Sequence, residues 1–160
     1  MTVKIRKAQA TDMDSVLNLI KELAVFEKEP NEVELSVLDL QEAGFGKQPE
    51  FTCFVAENNS VIIGIALVYY RFSTWKGTVL HLEDLIVGQK HRGHGIGTLL
   101  LDEVVKFGFE NKVKRISWEV LDWNEPAINF YKSKGADVKR DWDVVHLNEN
   151  AIENYVKNIN

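Results

Sequence analysis

The segment "HRGHGIGTLLL" at residues 91–101 restricts the possible folds most, because Gly93, Gly95 and Gly97 run directly into a leucine-rich helical pattern. Glycine inside a helix costs roughly 1 kcal/mol relative to alanine, so this density marks backbone that turns tightly or lets another group come close. The apolar run "TVLHLEDLIV" (78–87) precedes it, and Ile96, Leu99, Leu100, Val104 and Phe107 follow at helical spacing. The order is therefore strand, glycine turn, helix. A helix that starts this way offers N–H groups and the positive end of its dipole to an anion. The spacing is G-x-G-x-G, not the G-x-G-x-x-G of a dinucleotide turn, and the Gly-Lys-Ser/Thr of a P-loop is absent. On the glycines alone, phosphate binding and a tight packing turn stand about even.

The remaining pattern supplies a domain around that turn. "VKIRKA" (3–8) alternates as a strand, and Thr11 and Asp14 are spaced as a capping box before the stripe Val16, Leu17, Leu19, Ile20, Leu23 and Ala24. "SVLDLQEAGFG" predicts a short helix with Ser36 as cap and Gly44 as stop. "FTCFVAE" and "VIIGIALVYY" flank Asn58, Asn59 and Ser60 as a hairpin, and with 78–87 they make strands in series that pair antiparallel. "KRISWEV" (114–120) is a further strand. "NEPAINFYKSKG" is a helix with Asn124 as cap, Pro126 in the first turn and Gly135 past the end. "ADVKRDWDVVHL" predicts two short strands or one bent one, and "ENAIENYVKNI" a terminal helix. No repeat or linker breaks the series, so residues 1–160 read as a single α+β domain on a strongly twisted mixed sheet.

Composition narrows the function. With 160 residues, 45% hydrophobic and 27% charged, the chain is a soluble globular domain. "MTVKIRKAQATD" has no apolar stretch of the kind a secretory signal needs, and no segment is long enough to span a bilayer. Cys53, the only cysteine, sits among apolar neighbours and reads as a buried thiol, which fits a cytoplasmic location. A net charge of −5 and a pI near 5.4 argue against nucleic acid as a partner and mildly favour a cationic small ligand. His81, His91 and His94 are not at metal-ligand spacing and have no cysteine partners, so no metal is expected.

Arg92, Gly95 and Gly97 together form R-x-x-G-x-G between a strand and a helix, which resembles the acetyl-CoA pyrophosphate loop of the GNAT superfamily of N-acetyltransferases. "LIKELAVFEK" (19–28), "GFG" (44–46), "STWKG" (73–77), "LEDLIV" (82–87), "RGHGIG" (92–97), "LDWN" and "NFYKSKGA" (121–136) are similar to the diamine acetyltransferase family, which includes spermidine/spermine and thialysine N-acetyltransferases. The likeness runs from about residue 3 to 136. It implies the GNAT fold, with a mostly antiparallel mixed sheet flanked by helices, and acetyl-CoA as co-substrate. It also implies a homodimer with the active site near the subunit boundary, while charge and the lack of a long apolar segment argue against a nucleic-acid or membrane partner.

The same resemblance suggests roles for particular residues. Amide formation from a thioester needs a neutral amine, a place for charge on the carbonyl oxygen, and a proton for the departing sulfur. Tyr131 matches the family's general acid, although its ring could instead simply pack with Phe130. Glu83 matches the position that takes the amine's proton through water, against the alternative of a carboxylate paired at a sheet edge. Glu83 and Asp84 are consecutive in a strand and should face opposite sides. The backbone of Leu85, Ile86 and Val87 is expected to pair with the pantetheine arm. Arg92, Gly93, His94, Gly95, Ile96, Gly97 and Thr98 should hold the pyrophosphate, and Asn124, Pro126 and Tyr131 complete the coenzyme site.

For the acceptor amine, the likeness points to Phe26, Glu27, Trp75, Glu83 and Asp84; Glu27 reads almost as well as a solvated helix end. Polyamine-specific members carry an acidic residue shortly before the tryptophan matched by Trp75. Here Ser73 and Thr74 stand in that region, which favours the thialysine branch. The alternatives are an acetyltransferase acting on protein N-termini or lysines, and a non-catalytic acetyl-CoA sensor.

Overall fold

A computed structural model describes residues 2–159, and the chain divides into two compact units, one ending at Glu119 and one starting at Val120. The first unit opens with β1 (Lys4–Lys7), a 3-10 turn (Ala10–Asp12), α1 (Met13–Phe26) and α2 (Val37–Phe45). Then come β2 (Thr52–Asn58), β3 (Val61–Ser73), β4 (Gly77–Val87), α3 (Ile96–Glu110) and β5 (Ile116–Ser117). A second 3-10 turn, Gln89–His91, precedes the glycines. The strands lie in the order β1-β2-β3-β4-β5, antiparallel throughout except for the parallel pair β4 and β5. This is the mixed, mostly antiparallel sheet expected from the sequence. Asn59 (φ 49°) and Ser60 (φ 64°) form the β2–β3 turn, whose left-handed backbone matches the twist of the flanking strands.

Register assigns the two faces, because cross-strand partners point to the same side. Cys53 is opposite Leu67, Val55 opposite Ile65, and Ile65 opposite Ile86. These residues close a core with Met13, Val16, Leu17 and Leu19 of α1 and Leu40 of α2. The alternate positions meet α3, where Phe107 packs edge-on to Phe54 at 5.4 Å and tilted to Tyr70 at 6.2 Å. Burying a side chain such as Met13 or Leu100 fully contributes about 1.5–3 kcal/mol. The sheet thus has helices on both faces.

Two local predictions need correcting. Asp12, not the pair Thr11 and Asp14, stands at the N-cap of α1, without a side-chain cap bond. Its Oδ2 instead closes the preceding 3-10 turn by accepting the Gln9 N–H at 2.7 Å, and also accepts an Arg6 N–H at 2.7 Å. Arg6 also reaches Glu57 of β2 at 2.6 Å, so one guanidinium ties the first strand to the helix start. Ser36 caps α2 as expected, accepting the Asp39 N–H at 3.2 Å. Gly44, however, lies inside that helix, where an added Cβ would come within 2.5 Å of the Phe51 ring. Close approach to a neighbour explains it better than helix termination.

The second unit contains α4 (Glu125–Ser133) and α5 (Glu149–Ile159). Asn124 caps α4 by accepting the Ala127 N–H at 3.4 Å, and Gly135 follows the helix at φ 87°. No strand forms at 136–148, contrary to the alternation in "ADVKRDWDVVHL". A strand needs a ladder partner for its N–H and C=O groups, and none of the described residues of this unit forms one. Trp142, Val144, Val145 and Leu147 are exposed in consequence. In the first unit the expected strand at 114–120 shrinks to Ile116–Ser117.

Candidate active site

One irregularity in the β3–β4 register shapes the site. Val68 pairs with Leu82 and Leu67 with Asp84, which leaves Glu83 as an extra residue on β4. Simple alternation would send Glu83 and Asp84 to opposite faces, and the bulge overturns that expectation. Tyr69 is opposite His81, and Leu67 is opposite Asp84. Tyr69 and Leu67 share a face, so His81 and Asp84 do too. Glu83 stays on that side, its Oε2 accepting the Tyr69 hydroxyl at 3.0 Å and standing 3.4 Å from His81 Nε2. Both carboxylates therefore face the α1 side of the sheet.

Glu27, just past the end of α1, adds a third negative charge. Burial pushes the Asp84 carboxyl from 3.8 up to about 6, and the charges of Glu83 and Glu27 reinforce the rise. Burial also raises Glu27 above its ordinary range. Carboxylates gathered in a partly dry site repel one another, and a bound ammonium ion relieves that cost. Cys53, in the same cross-strand row as Asp84, is buried and its thiol is pushed up to about 12, chiefly by desolvation. It is an inert core residue, as the sequence suggested.

His81 sits beneath this cluster and is only 6% exposed. Its Nδ1 lies 3.2 Å from Arg71 Nη1 and 3.5 Å from Ser117 Oγ, and its ring leans on Tyr69 at 5.1 Å. Burial lowers its pKa from 6.5, and the Arg71 charge adds to this while Glu83 and Glu119 oppose it. In the sequence His81 stands out only among the histidines that lack metal-ligand spacing, and nothing local marks Tyr69 or Arg71 as its partners. The i, i+2 spacing of His81 and Glu83 was a usable signal; the β3 partners required the register.

Beyond Gly88 the chain turns into α3 through Gly93 (φ 77°) and Gly95 (φ 76°). An added Cβ at either would meet nothing within 4 Å, so left-handed backbone, not crowding, calls for glycine here. Gly95 is the N-cap and contributes no capping side chain. The Leu99 N–H closes the first turn on Gly95 O at 3.1 Å. The N–H groups of Ile96, Gly97 and Thr98 precede that bond and have no helical acceptor, which makes the turn a cradle for anionic oxygens. Nearby, β4 pairs with β5 only at Leu80 and His81, so Leu85–Val87 run past the end of β5. Such an edge suits an extended ligand that pairs as an added strand. The side chains of Ile86 and Ile96 are buried in the core, so only their backbone can serve a ligand.

Arg92 is engaged within the fold. Its Nε donates to Val87 O at 3.0 Å, its guanidinium lies 5.3 Å from the Phe26 ring centre, and one terminal nitrogen is 3.8 Å from Glu22. Glu22 also accepts the Gln89 N–H at 2.7 Å. Helix α1 thus anchors the turn before the glycines and brings Phe26 beside Arg92, contacts of Glu22 that the sequence did not signal. His94 Nδ1 stands 3.3 Å from His91 O. Trp75 is 82% exposed at the tip of the β3–β4 hairpin. The strand from Gly77 to Glu83 separates it from the carboxylates, about 20 Å at the usual rise per residue.

In the second unit Tyr131 lies on α4 after the Asn124 cap and Pro126, buried, with its ring 5.4 Å from Phe130.

The family described as acetyltransferase (GNAT) matches residues 13–136. Thialysine N-epsilon-acetyltransferase of Mus musculus is 37% identical over 143 residues, covering 84% of this chain and 84% of that protein. Spermidine/spermine N(1)-acetyltransferase-like protein 1 of Homo sapiens is 37% identical over 140 residues, covering 83% of this chain but 20% of its own length. Among solved structures, an integron cassette protein from the mobile metagenome of V. cholerae superposes with a TM-score of 0.79 at 22% identity, over 98% of this chain and 99% of that one.

Proposed function

Since the chain belongs to the GNAT family of acetyltransferases, we propose that it moves the acetyl group of acetyl-CoA to a primary amine of a small molecule, by direct attack in a ternary complex. The observation that carries this reading is the bulge at Glu83, which turns Glu83 and Asp84 to the side of the sheet where Glu27 ends α1. Three carboxylates there recognise an ammonium group, and the Phe26 face adds a surface for the cation.

The glycine turn and the β4 edge suit acetyl-CoA. The N–H groups of Gly95, Ile96, Gly97 and Thr98, with Gly93 and His94 beside them, would hold its pyrophosphate, and the backbone of Leu85, Ile86 and Val87 its pantetheine arm. Arg92 adds positive charge near the turn while keeping α1 in place. Asn124 and Pro126 set the start of α4 for a coenzyme contact. Bound there, the co-substrate supplies an activated acetyl thioester. Glu83 takes the proton that the amine must lose, through a water, and Tyr131 holds the proton that the departing sulfur requires.

The thialysine branch is favoured by Ser73 and Thr74 and by the relatives so named. Residues 1–160 act as one catalytic domain in this reading, in the cytoplasm, as a homodimer. The exposed Phe72 and Trp75 at the hairpin tip offer apolar surface for a second copy, whose acceptor site Trp75 would wall. Thiol release from acetyl-CoA with spermidine, spermine, putrescine, lysine, thialysine and a lysine-containing peptide tests the proposal. Selective turnover of thialysine is expected. Comparable turnover of spermidine refutes the branch; turnover of the peptide alone, or tight acetyl-CoA binding with no turnover, refutes the small-molecule enzyme.

A further inference from the structure

The group of side chains under Glu83 does more than fill the sheet face. Arg71 from β3 places Nη1 3.2 Å from Nδ1 of His81. A guanidinium only donates hydrogen bonds, so Nδ1 must be the accepting nitrogen. The neutral ring then carries its proton on Nε2, which stands 3.4 Å from Glu83 Oε2. The same oxygen accepts the Tyr69 hydroxyl at 3.0 Å. The Tyr69 hydroxyl donates to that oxygen and the Nε2 edge of His81 stands beside it, on a carboxylate side chain that is half exposed.

We propose that His81 is a positioning residue for acetyl transfer: Arg71 locks its tautomer so that Nε2–H holds one Glu83 oxygen in place and the other is aimed at the amine's proton. This rests on the reading of Glu83 as proton acceptor. Burial supports the neutral ring by favouring loss of its charge. The groups facing the imidazole are Arg71 and Tyr69 from β3, Glu83 from β4, and Ser117 and Glu119 from and beyond β5. Protonating the ring would put an N–H on Nδ1 against the Arg71 guanidinium and break the lock. Activity should therefore fall as pH drops through the lowered His81 pKa.

The experiment compares the full-length chain with H81F, H81Q, R71M and E83Q, measuring kcat and KM for the preferred amine and for acetyl-CoA from pH 5.5 to 9. Loss of positioning should lower kcat of H81F about tenfold with KM for acetyl-CoA unchanged. H81Q, which can still present an N–H to Glu83 but does not titrate, should recover most of that loss and show a shallower acid limb than the natural chain. R71M should reduce kcat severalfold. If H81F does not fold, H81Q and R71M decide: an acid limb in H81Q identical to that of the natural chain, together with unchanged kcat in R71M, overturns the proposal. So does full kcat in a folded H81F when E83Q is impaired. Full kcat in E83Q instead removes the assignment of Glu83, and the positioning role with it.

Discussion

Replacing Asp84 with asparagine should make the protein more stable and a poorer catalyst at the same time. Moving a carboxyl from 3.8 to about 6 costs its charged form about 3 kcal/mol at 1.36 kcal/mol per unit. Burial is the main cause of the rise, and an asparagine amide at the same position must itself be partly desolvated, which reduces the expected gain to about 1–2 kcal/mol. Between pH 3.8 and about 6 the native state holds more protons on Asp84 than the unfolded chain does, so stability falls as pH rises through that window and levels off above it. Urea unfolding of both proteins at pH 3.5, 5, 6 and 8 should show D84N level with the natural chain at the lowest pH and about 1–2 kcal/mol more stable at pH 8. Kinetics at pH 8 should show KM for the amine raised and KM for acetyl-CoA unchanged, since the lost charge faces the acceptor side. A variant less stable than the natural chain at pH 8, or a stability gap that does not change with pH, would refute the reasoning.

Gly95→Val should weaken acetyl-CoA binding at least tenfold by isothermal titration, while the strain of a β-branched residue at φ 76° costs about 1–2 kcal/mol of stability in urea. Tyr131→Phe should cut kcat about 100-fold or more and leave acetyl-CoA affinity intact; equal turnover would end its assignment as proton donor. Arg6→Met removes the partner of both Asp12 and Glu57 and should cost about 1–3 kcal/mol at pH 7. Arg6 holds Asp12 below its ordinary 3.8, so that stabilisation is present above pH 3.8 and is lost as pH falls through the lowered value. Circular dichroism should accordingly show acid unfolding of Arg6→Met at a higher pH than the natural chain, and unfolding curves that diverge only below pH 3.8 would contradict the ion pair's role.

Much of the local structure around the candidate site was legible from local pattern. The strand, glycine turn and helix around Gly95, the caps at Ser36 and Asn124, and the β2–β3 hairpin depend on a few adjacent residues, and they formed where the sequence placed them. Gly44 and the segment 136–148 went astray because a helix glycine can answer a distant ring such as Phe51, and an alternating pattern cannot supply its own ladder partner. Resemblance pointed to Glu27, Glu83 and Asp84 without the geometry that makes them one cluster.

The sequence by itself determined the order of elements as far as α4, the inward face of α1 and the open turn before Ile96, because backbone preference and hydrophobic period are properties of neighbours in the chain. The α3 stripe it predicted included Leu99, which is exposed. Tertiary structure alone decided that Glu83 and Asp84 share a face, that Arg71 and Tyr69 meet His81 and Glu83, and that Glu22 of α1 holds the turn before the glycines. Strand register is set by pairing summed over the whole β3–β4 ladder, and one extra residue in it redirects side chains that no local pattern could orient.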